Sequence, residues 1–414
     1  MRGNCPCWFV VFILLMGGFA GVATAATSNI QDTVSALGAI HSPNADNDLP
    51  YDVPEAVRPL LTTLKHQLRD LILSTLNSDH SPTLQTDQLT AELLQELERQ
   101  GVPAGEKNLP KSQEYGGILD VKITPPKGHP ELLAATVTLQ VPCSDGDTAL
   151  YIFKRNAAVW KLAMALESDD YPQVSGAQGS FQYAISTQDQ KGDWYVVAAH
   201  IPGWCTSCMS GIHYQVLRPE LKPDAPRMLL DKDAGDYKCD DPPYKLKLEP
   251  TGFRIDYVAL WLDLDIFSTV QPDRYVVSGD QVMRIPPVAY TPQDFVNAWI
   301  QMPWKDALEW SNPAKIASLE SWHDRFQPGS DAGYLFGSKL EFVQPCDNPP
   351  TRWQIGLTAE KNDAKSPRLI FTVSMKGDAF YLRGIDEQKP PDCPGQAPPA
   401  KTLDWEGLER LQGR

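Results

Sequence analysis

The run from Tyr257 to Phe267 carries aromatic and carboxylate side chains in a pattern that could bind a sugar. Side chains of a β-strand alternate between its two faces, and the face holding Val258 is predicted to be core. The predicted open face carries Tyr257, Trp261, Asp263 and Asp265. A ring can cover the apolar side of a sugar while carboxylates accept hydrogen bonds from its hydroxyls. The pattern therefore suggests a carbohydrate-binding face, against the ordinary alternative of a face exposed to solvent or packed on another layer.

Hydrolysis is a second interpretation of the same strand. Asp263 and Asp265 would stand roughly 7 Å apart along an extended chain, a separation that glycosidases also use. No feature of the sequence indicates that either carboxyl group has a raised pKa, which a general acid needs. Sugar binding is therefore favoured over sugar hydrolysis.

A second acidic segment runs from Asp231 to Asp241 and carries five carboxylates. The spacing of Asp231, Asp233 and Asp236 suits a cation such as Ca²⁺, which prefers oxygen ligands. The segment does not match an EF-hand, because Asp236 and Pro242 stand where that loop needs a glycine and a glutamate. The alternatives are a calcium site and an acidic loop facing solvent, and no other cofactor is expected.

The cysteines predict a disulfide-bonded protein. Of the eight cysteines, Cys5 and Cys7 lie in a predicted signal peptide, which leaves 8 − 2 = 6 in the mature chain. An even set in an exported protein favours disulfides over free thiols. Cys346 and Cys393 both fall at the end of the chain, so we expect them to pair with each other.

The connectivity of the other cysteines stays open. They are Cys143, Cys205, Cys208 and Cys239. Cys205 and Cys208 have the spacing of a thioredoxin-type site, but strand patterns rather than a helix flank them, so a structural disulfide is favoured. Zinc is disfavoured because the set lacks a second close ligand pair. His200 and His213 flank this segment and could complete a metal or acid-base site, or serve as structural residues.

Residues 1–25 have the pattern of a secretory signal peptide. Arg2 precedes an apolar run from Trp8 to Met16, and Ala23-Thr24-Ala25 gives an A-x-A cleavage pattern. We therefore expect cleavage after Ala25 and a periplasmic or extracellular location. The run is shorter than the roughly 20 residues that span a bilayer, and no later run approaches that length. No membrane span is expected in the mature chain.

The first half of the mature chain contains a helical segment and then a β segment. After a polar linker at 26–52, leucines at spacings of three and four predict a helical hairpin over 53–104. Over 115–288 the apolar period is two, with turn residues between the runs. This pattern predicts an antiparallel β domain, as a meander, sandwich, barrel or partial propeller.

The second half predicts an α+β domain over 289–388. Thr291-Pro292 opens a helix as cap and first residue, and four strand-like runs follow from Tyr334 onward. Tryptophans at 299, 304, 310 and 322 are expected to form the core between these helices and a small antiparallel sheet. A cavity under the helices could hold an apolar ligand, and the Pro-rich tail at 389–414 is expected to be extended. The fold class is therefore mainly β with an α+β C-terminal unit.

The charge balance excludes some partners. There are 52 acidic and 37 basic residues, a net charge of -15, so neither nucleic acid nor an anionic membrane surface is expected to be the main partner. The sequence contains no Gly-rich phosphate-binding loop, no nucleophilic serine elbow and no His-Glu-x-x-His zinc motif. We expect an exported protein with a binding or structural role, its ligand a carbohydrate or a small apolar molecule. The alternative is a secreted, carbohydrate-active hydrolase.

Overall fold

The computed structural model describes residues 29–40, 52–78, 85–102, 104–105, 115–189, 191–204, 209–238, 244–260, 268–327, 338–358, 368–388 and 393. The predicted signal peptide lies outside the described residues, and so does the Pro-rich tail apart from Cys393. The described residues confirm the mainly β class, with helices at the N-terminal end and helices preceding the last sheet.

Three helices begin the described chain. They are α1 (Ile30–Gly38), α2 (Arg58–Leu76) and α3 (Thr86–Arg99). α1 lies inside the segment that the sequence suggested was a polar linker, and the Asn29 side chain caps its first turn. α2 and α3 form the expected pair, and the leucines that suggested them are buried against the first sheet. The helical pair is thus part of a core shared with that sheet.

Among the described residues, sixteen strands form four sheets of four, and in each sheet strands that are neighbours in the chain pair with each other. The first sheet contains β1 (Ile118–Thr124), β2 (Leu132–Leu139), β3 (Asp147–Asn156) and β4 (Val159–Leu166). The second contains β5 (Gln178–Ile185), β6 (Val196–Pro202), β7 (Met209–Arg218) and β8 (Arg227–Lys238). The third contains β9 (Tyr244–Glu249), β10 (Gly252–Leu260), β11 (Ser268–Ser278) and β12 (Gln281–Ile285). Each is an antiparallel meander, and among the described residues its first and last strands do not pair, so none of these sheets closes into a barrel on its own.

A tight turn joins β9 to β10. Gly252 begins β10 directly opposite Glu249, and a Cβ at Gly252 would stand 1.8 Å from the backbone oxygen of Tyr275. Only glycine, which has no Cβ, allows the start of β10 to lie this close to the backbone of β11. Successive sheets touch, since β3 contacts β5 and β8 contacts β10.

The last unit has the expected order of helices and then strands. Its helices are α4 (Pro292–Gln301), α5 (Trp304–Ala307) and α6 (Ile316–Phe326), and its strands are β13 (Lys339–Pro345), β14 (Arg352–Thr358), β15 (Arg368–Lys376) and β16 (Ala379–Asp386). The Thr291 hydroxyl accepts from the Asp294 backbone nitrogen, as the cap pattern predicts. Trp299 is fully buried and packs edge-on against Trp304 and His323. Of the four tryptophans, Trp299 and Trp310 are buried in this core, and Trp304 and Trp322 pack against it partly buried.

The predicted pairing of Cys346 with Cys393 is confirmed. Both cysteines are buried, and the Gln344 side chain donates to the Cys393 carbonyl at 3.0 Å. Cys143 is also disulfide-bonded, whereas Cys205, Cys208 and Cys239 lie outside the described residues. No helix among the described residues is long and apolar enough to cross a membrane.

Candidate functional site

The expected sugar-binding strand is corrected at its described end. Tyr257 is 7% exposed and packs in the core between the second and third sheets. The buried face of β10 also carries Phe253 and Ile255, so the strand has the opposite phase from the prediction. Burial, followed by the nearby charge of Asp273, raises the pKa of Tyr257 well above its ordinary value. Trp261, Asp263 and Asp265 lie outside the described residues, and their proposed role stays a prediction.

The acidic segment is also corrected, because Asp231, Asp233 and Asp236 lie within β8 rather than in a loop. His213 on β7 lies between two of them, with Nε2 3.0 Å from Asp231 Oδ1 and Nδ1 2.8 Å from Asp233 Oδ1. The histidine ring therefore lies between two of the carboxylates that were expected to hold the cation. Among the described residues, no three histidine, cysteine or acidic side chains form a metal-binding group. Calcium binding at this segment stays a prediction.

His200 pairs with His213 across β6 and β7, and the two ring centres are 4.9 Å apart. Burial, reinforced by the neighbouring His213, lowers the pKa of His200 to about 4. His200 is therefore neutral at physiological pH. These two histidines stand beside carboxylates, but the pair forms a packed contact rather than an open acid-base site.

A buried charge cluster joins the second and third sheets around Asp273. Its carboxylate contacts Lys232 at 2.9 Å, the Tyr214 hydroxyl at 2.5 Å and Arg284 at 2.5 Å. Burial opposes ionisation of Asp273, but Arg284 and Lys232 outweigh it and hold its pKa below the ordinary value. The cluster is a structural connection between sheets, since its anion is already compensated by two cations.

A second buried network fixes α2 to the first sheet. The Lys65 ammonium lies 2.7 Å from Asp147 Oδ2 and donates to both the backbone oxygen and the hydroxyl of Ser168, each at 2.7 Å. The Ser168 hydroxyl donates to Asp147 Oδ1 at 2.5 Å, and Tyr171 donates to Oδ2 at 3.0 Å. All polar groups of this network are satisfied, which a buried ion pair requires.

The same network brings two neighbouring side chains together at a cleft. His66 follows Lys65 on α2, and Glu167 precedes Ser168 just after β4. His66 Nε2 lies 3.1 Å from Glu167 Oε2, and the side chain of Glu167 is only 7% exposed. The Tyr151 hydroxyl donates to the Lys65 carbonyl at 3.1 Å, and burial together with the charge of Glu167 raises the pKa of Tyr151 well above its ordinary value. The Tyr151 hydroxyl thus lies beside the Glu167 carboxylate as well as the Lys65 carbonyl.

We call the opening above this pair the acid-lined cleft, which has a volume of about 640 Å³. Its polar lining is Thr62, His66, Arg69, Glu167, Asp169, Asp170 and Asp224. Its apolar lining is Ala165, Leu166, Leu217, Ala225, Pro226 and Met228. The cleft therefore lies where α2, the first sheet and the second sheet meet, and its volume is within the range of small-molecule sites.

Arg69 is the basic residue at one wall of the acid-lined cleft. It lies one helical turn after His66 and contacts Asp224 at 3.1 Å and Asp70 at 3.3 Å. Its charge is therefore already paired, whereas Asp169 and Asp170 are exposed at the opening. The cleft keeps an excess of negative charge.

No part of the acid-lined cleft was identified from the sequence. His66 and Glu167 are about a hundred residues apart in the chain, and neither lies in a recognisable motif. The Asp169-Asp170 pair next to Glu167 was the available signal, but short acidic runs are common on surfaces. The contact depends on how α2 packs on the first sheet, which the helical pattern alone does not specify.

Comparison with known proteins gave no family model and no curated relative that matches the chain. Among solved structures, the chain is similar to an α-L-arabinofuranosidase variant from Fusarium graminearum bound to an iminosugar inhibitor, at 9% identity over 67% of this chain and 68% of that chain, with a TM-score of 0.27. It is also similar to an α-L-arabinanase from Penicillium chrysogenum with arabinobiose, at 10% identity over 64% and 62% of the two chains, with a TM-score of 0.25. Likenesses at such TM-scores carry no argument about fold or activity.

Proposed function

We propose that this protein binds a small organic cation in the acid-lined cleft and acts as an exported binding protein. The observation that carries the proposal is Glu167, a nearly buried carboxylate that lines the cleft and contacts the side chain of His66. An ammonium group that reaches Glu167 adds a charged donor to a nearly buried carboxylate. A charge-assisted hydrogen bond of this kind is stronger than one between neutral groups.

The rest of the lining supports the same chemistry. Asp169 and Asp170 add negative charge at the opening, and the charge of Arg69 is compensated by Asp70 and Asp224. An excess of one sign in a cleft raises the local concentration of the opposite ion. Cations are therefore expected to enter in preference to anions.

The apolar wall suits the carbon chain of an amine. Leu166, Leu217 and Pro226 line the cleft, and the neighbouring Met228 is 45% exposed. Methionine adapts its flexible side chain to ligands of different shape. An aliphatic amine can thus place its methylene groups on this wall and its ammonium groups at the carboxylates.

Titration calorimetry with spermidine tests the proposal, with the neutral disaccharide cellobiose as the comparison ligand. We expect saturable heats with spermidine and none with cellobiose. The double variant Asp169→Asn, Asp170→Asn should bind spermidine about fivefold more weakly, because exposed charge pairs contribute roughly 0.2 to 1 kcal/mol each. Binding of cellobiose but not spermidine would contradict the proposal.

A matched control variant removes the same number of negative charges from a surface outside the acid-lined cleft. Asp378 and Glu387 lie at the last sheet, outside the acid-lined cleft. The variant Asp378→Asn, Glu387→Gln also removes two negative charges, and we expect it to bind spermidine as the wild type does. An equal loss in both double variants would indicate attraction by the whole acidic protein rather than by the cleft.

The alternative function, a secreted hydrolase, makes a different prediction for the same residues. A glycosidase needs two carboxyl groups on opposite sides of a scissile bond, roughly 5 to 9.5 Å apart. Glu167 is instead paired with a histidine. Release of nitrophenol from a panel of aryl glycosides by the wild type, and its loss in Glu167→Gln, would favour the hydrolase over the binding protein.

A further inference from the structure

A second cleft lies on the other side of the helical pair, between α3 and the first sheet. We call it the apolar cleft, and its volume is about 370 Å³. Its apolar lining is Leu89, Leu132, Leu133, Pro125, Pro126 and Pro130. Arg155 and Trp160, at the hairpin between β3 and β4, complete the lining together with Thr86, Gly128 and His129. The three leucines are buried, so the floor of the apolar cleft is part of the protein core.

His129 forms a wall of the apolar cleft but does not offer a hydrogen-bonding atom to a ligand. It is 1% exposed, and its Nε2 lies 2.6 Å from the backbone oxygen of Ser186. Its Nδ1 lies 3.3 Å from Glu131 Oε1, and that oxygen also accepts from Gln188 at 2.6 Å. Both ring nitrogens are therefore committed to protein partners.

Arg155 is the charged residue in the lining of the apolar cleft, and its side chain could contact a ligand there. Its guanidinium lies 5.9 Å from the ring centre of Trp160, the residue paired with it across the hairpin. The side chain is exposed, and the nearby Glu131 carboxylate contacts His129 rather than this guanidinium. An arginine fork above an aromatic face is suited to a planar anion, because it can donate two parallel hydrogen bonds.

The hairpin that carries these two residues is held in place on both strands. The backbone nitrogen of Arg155 donates to the Glu131 carbonyl at 2.8 Å. The Asn77 side chain at the end of α2 accepts from the Trp160 nitrogen at 2.8 Å and donates to its carbonyl at 3.1 Å. A site fixed before binding loses less conformational freedom when a ligand enters.

We propose that the apolar cleft binds a small aromatic or aliphatic carboxylate. The apolar part of the ligand lies on Leu89 and Leu133, and its carboxylate pairs with Arg155 beside Trp160. This site is separate from the acid-lined cleft and takes a ligand of opposite charge. The inference therefore does not depend on the proposed function.

The test compares 3-phenylpropionate with its neutral analogue 3-phenylpropanol by titration calorimetry on the full chain. We expect the acid to bind saturably and the alcohol to bind at least about tenfold more weakly, since the alcohol lacks the charge-assisted pair. Arg155→Gln should weaken binding of the acid about tenfold and leave binding of the alcohol unchanged. Because Arg155 is exposed, its replacement is not expected to unfold the chain, which circular dichroism checks.

Lys161→Gln is the matched control, because it removes one exposed positive charge next to Trp160 from outside the cleft lining. It should bind 3-phenylpropionate as the wild type does. A saturating amount of spermidine should not displace the acid, which separates this site from the acid-lined cleft. Equal binding of acid and alcohol, no binding of either, or an equal loss in the two variants would overturn the inference.

Discussion

The Lys65 ammonium lies 2.7 Å from a carboxylate oxygen of Asp147, and neither side chain has any exposed surface. This ion pair joins α2 to the first sheet, because Asp147 is the first residue of β3. It also places His66 and Glu167, the chain neighbours of Lys65 and Ser168, side by side at the acid-lined cleft. A contact that stabilises the fold thus sets the geometry of the candidate site.

Replacing Lys65 with methionine should destabilise the protein strongly. The change leaves the Asp147 carboxylate buried without its cation, and breaking a buried pair in this way costs about 3 to 5 kcal/mol. Urea denaturation of Lys65→Met measures the loss. The double variant Lys65→Met, Asp147→Asn should lose less, because no unpaired charge stays buried. If the double variant loses as much as the single one, the ion pair is not the cause.

Acid should weaken the protein through His200. Its pKa in the folded state is lowered from 6.5 to about 4 by burial and by His213. The unfolded chain therefore takes up the proton first, and the stability that depends on neutral His200 is complete above pH 6.5. That stability is lost as pH falls from 6.5 towards 4, by at most about 3 kcal/mol.

The variant His200→Gln isolates this effect from the titration of carboxylates. Unfolding free energies of the wild type and the variant are measured from pH 7.5 to 4. The difference between the two unfolding free energies should shrink by one to a few kcal/mol as pH falls. Each unit by which the pKa is lowered corresponds to about 1.4 kcal/mol. A difference that is independent of pH would show that the environment of His200 does not depress its pKa.

Removing the disulfide between Cys346 and Cys393 should reduce stability. The two cysteines are separated by 47 residues, and a loop of that length corresponds to about 4 kcal/mol in the chain-entropy model. Unfolding of the double variant Cys346→Ala, Cys393→Ala in urea measures the loss. Non-reducing peptide mapping of the wild type should recover these two cysteines in one linked peptide, and a link from either to Cys143 would contradict the pairing.

Local sequence patterns predicted where strands and helices lie better than they predicted which face of a strand is buried. Period-two runs and turn residues were enough to predict most of the strands, because alternation and turn chemistry are local properties. The strand β8 was missed, because its acidic residues suggested a loop. The phase of β10 was wrong because only the segment from Tyr257 onward was considered. Extending the alternation back to Phe253 and Ile255, which share a face with Tyr257, would have indicated the buried side.

α1 was missed for a related reason. Its segment is polar in composition, but Ile30, Thr33 and Leu37 are buried and Asn29 caps the first turn. Three apolar or small positions over nine residues form a narrow stripe that composition conceals. The cap followed by this spacing was the signal available in the sequence.

The two clefts could not have been predicted from local patterns. The lining of the acid-lined cleft comes from α2, the end of β4 and the residues after it, the end of β7, and the segment that leads into β8. Which side chains meet there depends on packing between elements that are far apart in the chain. Only the pairing of Cys346 with Cys393 among the long-range contacts was predicted, because few cysteines competed for it.

The sequential order of strands in all four sheets has a consequence for the route by which the chain folds. Each strand is hydrogen-bonded to the strand next to it in the chain, so most β pairing has low contact order. Proteins rich in such short-range contacts close small loops first and lose little chain entropy at each step. The buried pair of Lys65 and Asp147 joins segments 82 residues apart (147 − 65) and needs the first sheet before it can form. The helical pair is therefore expected to dock late, onto sheets that have already assembled hairpin by hairpin.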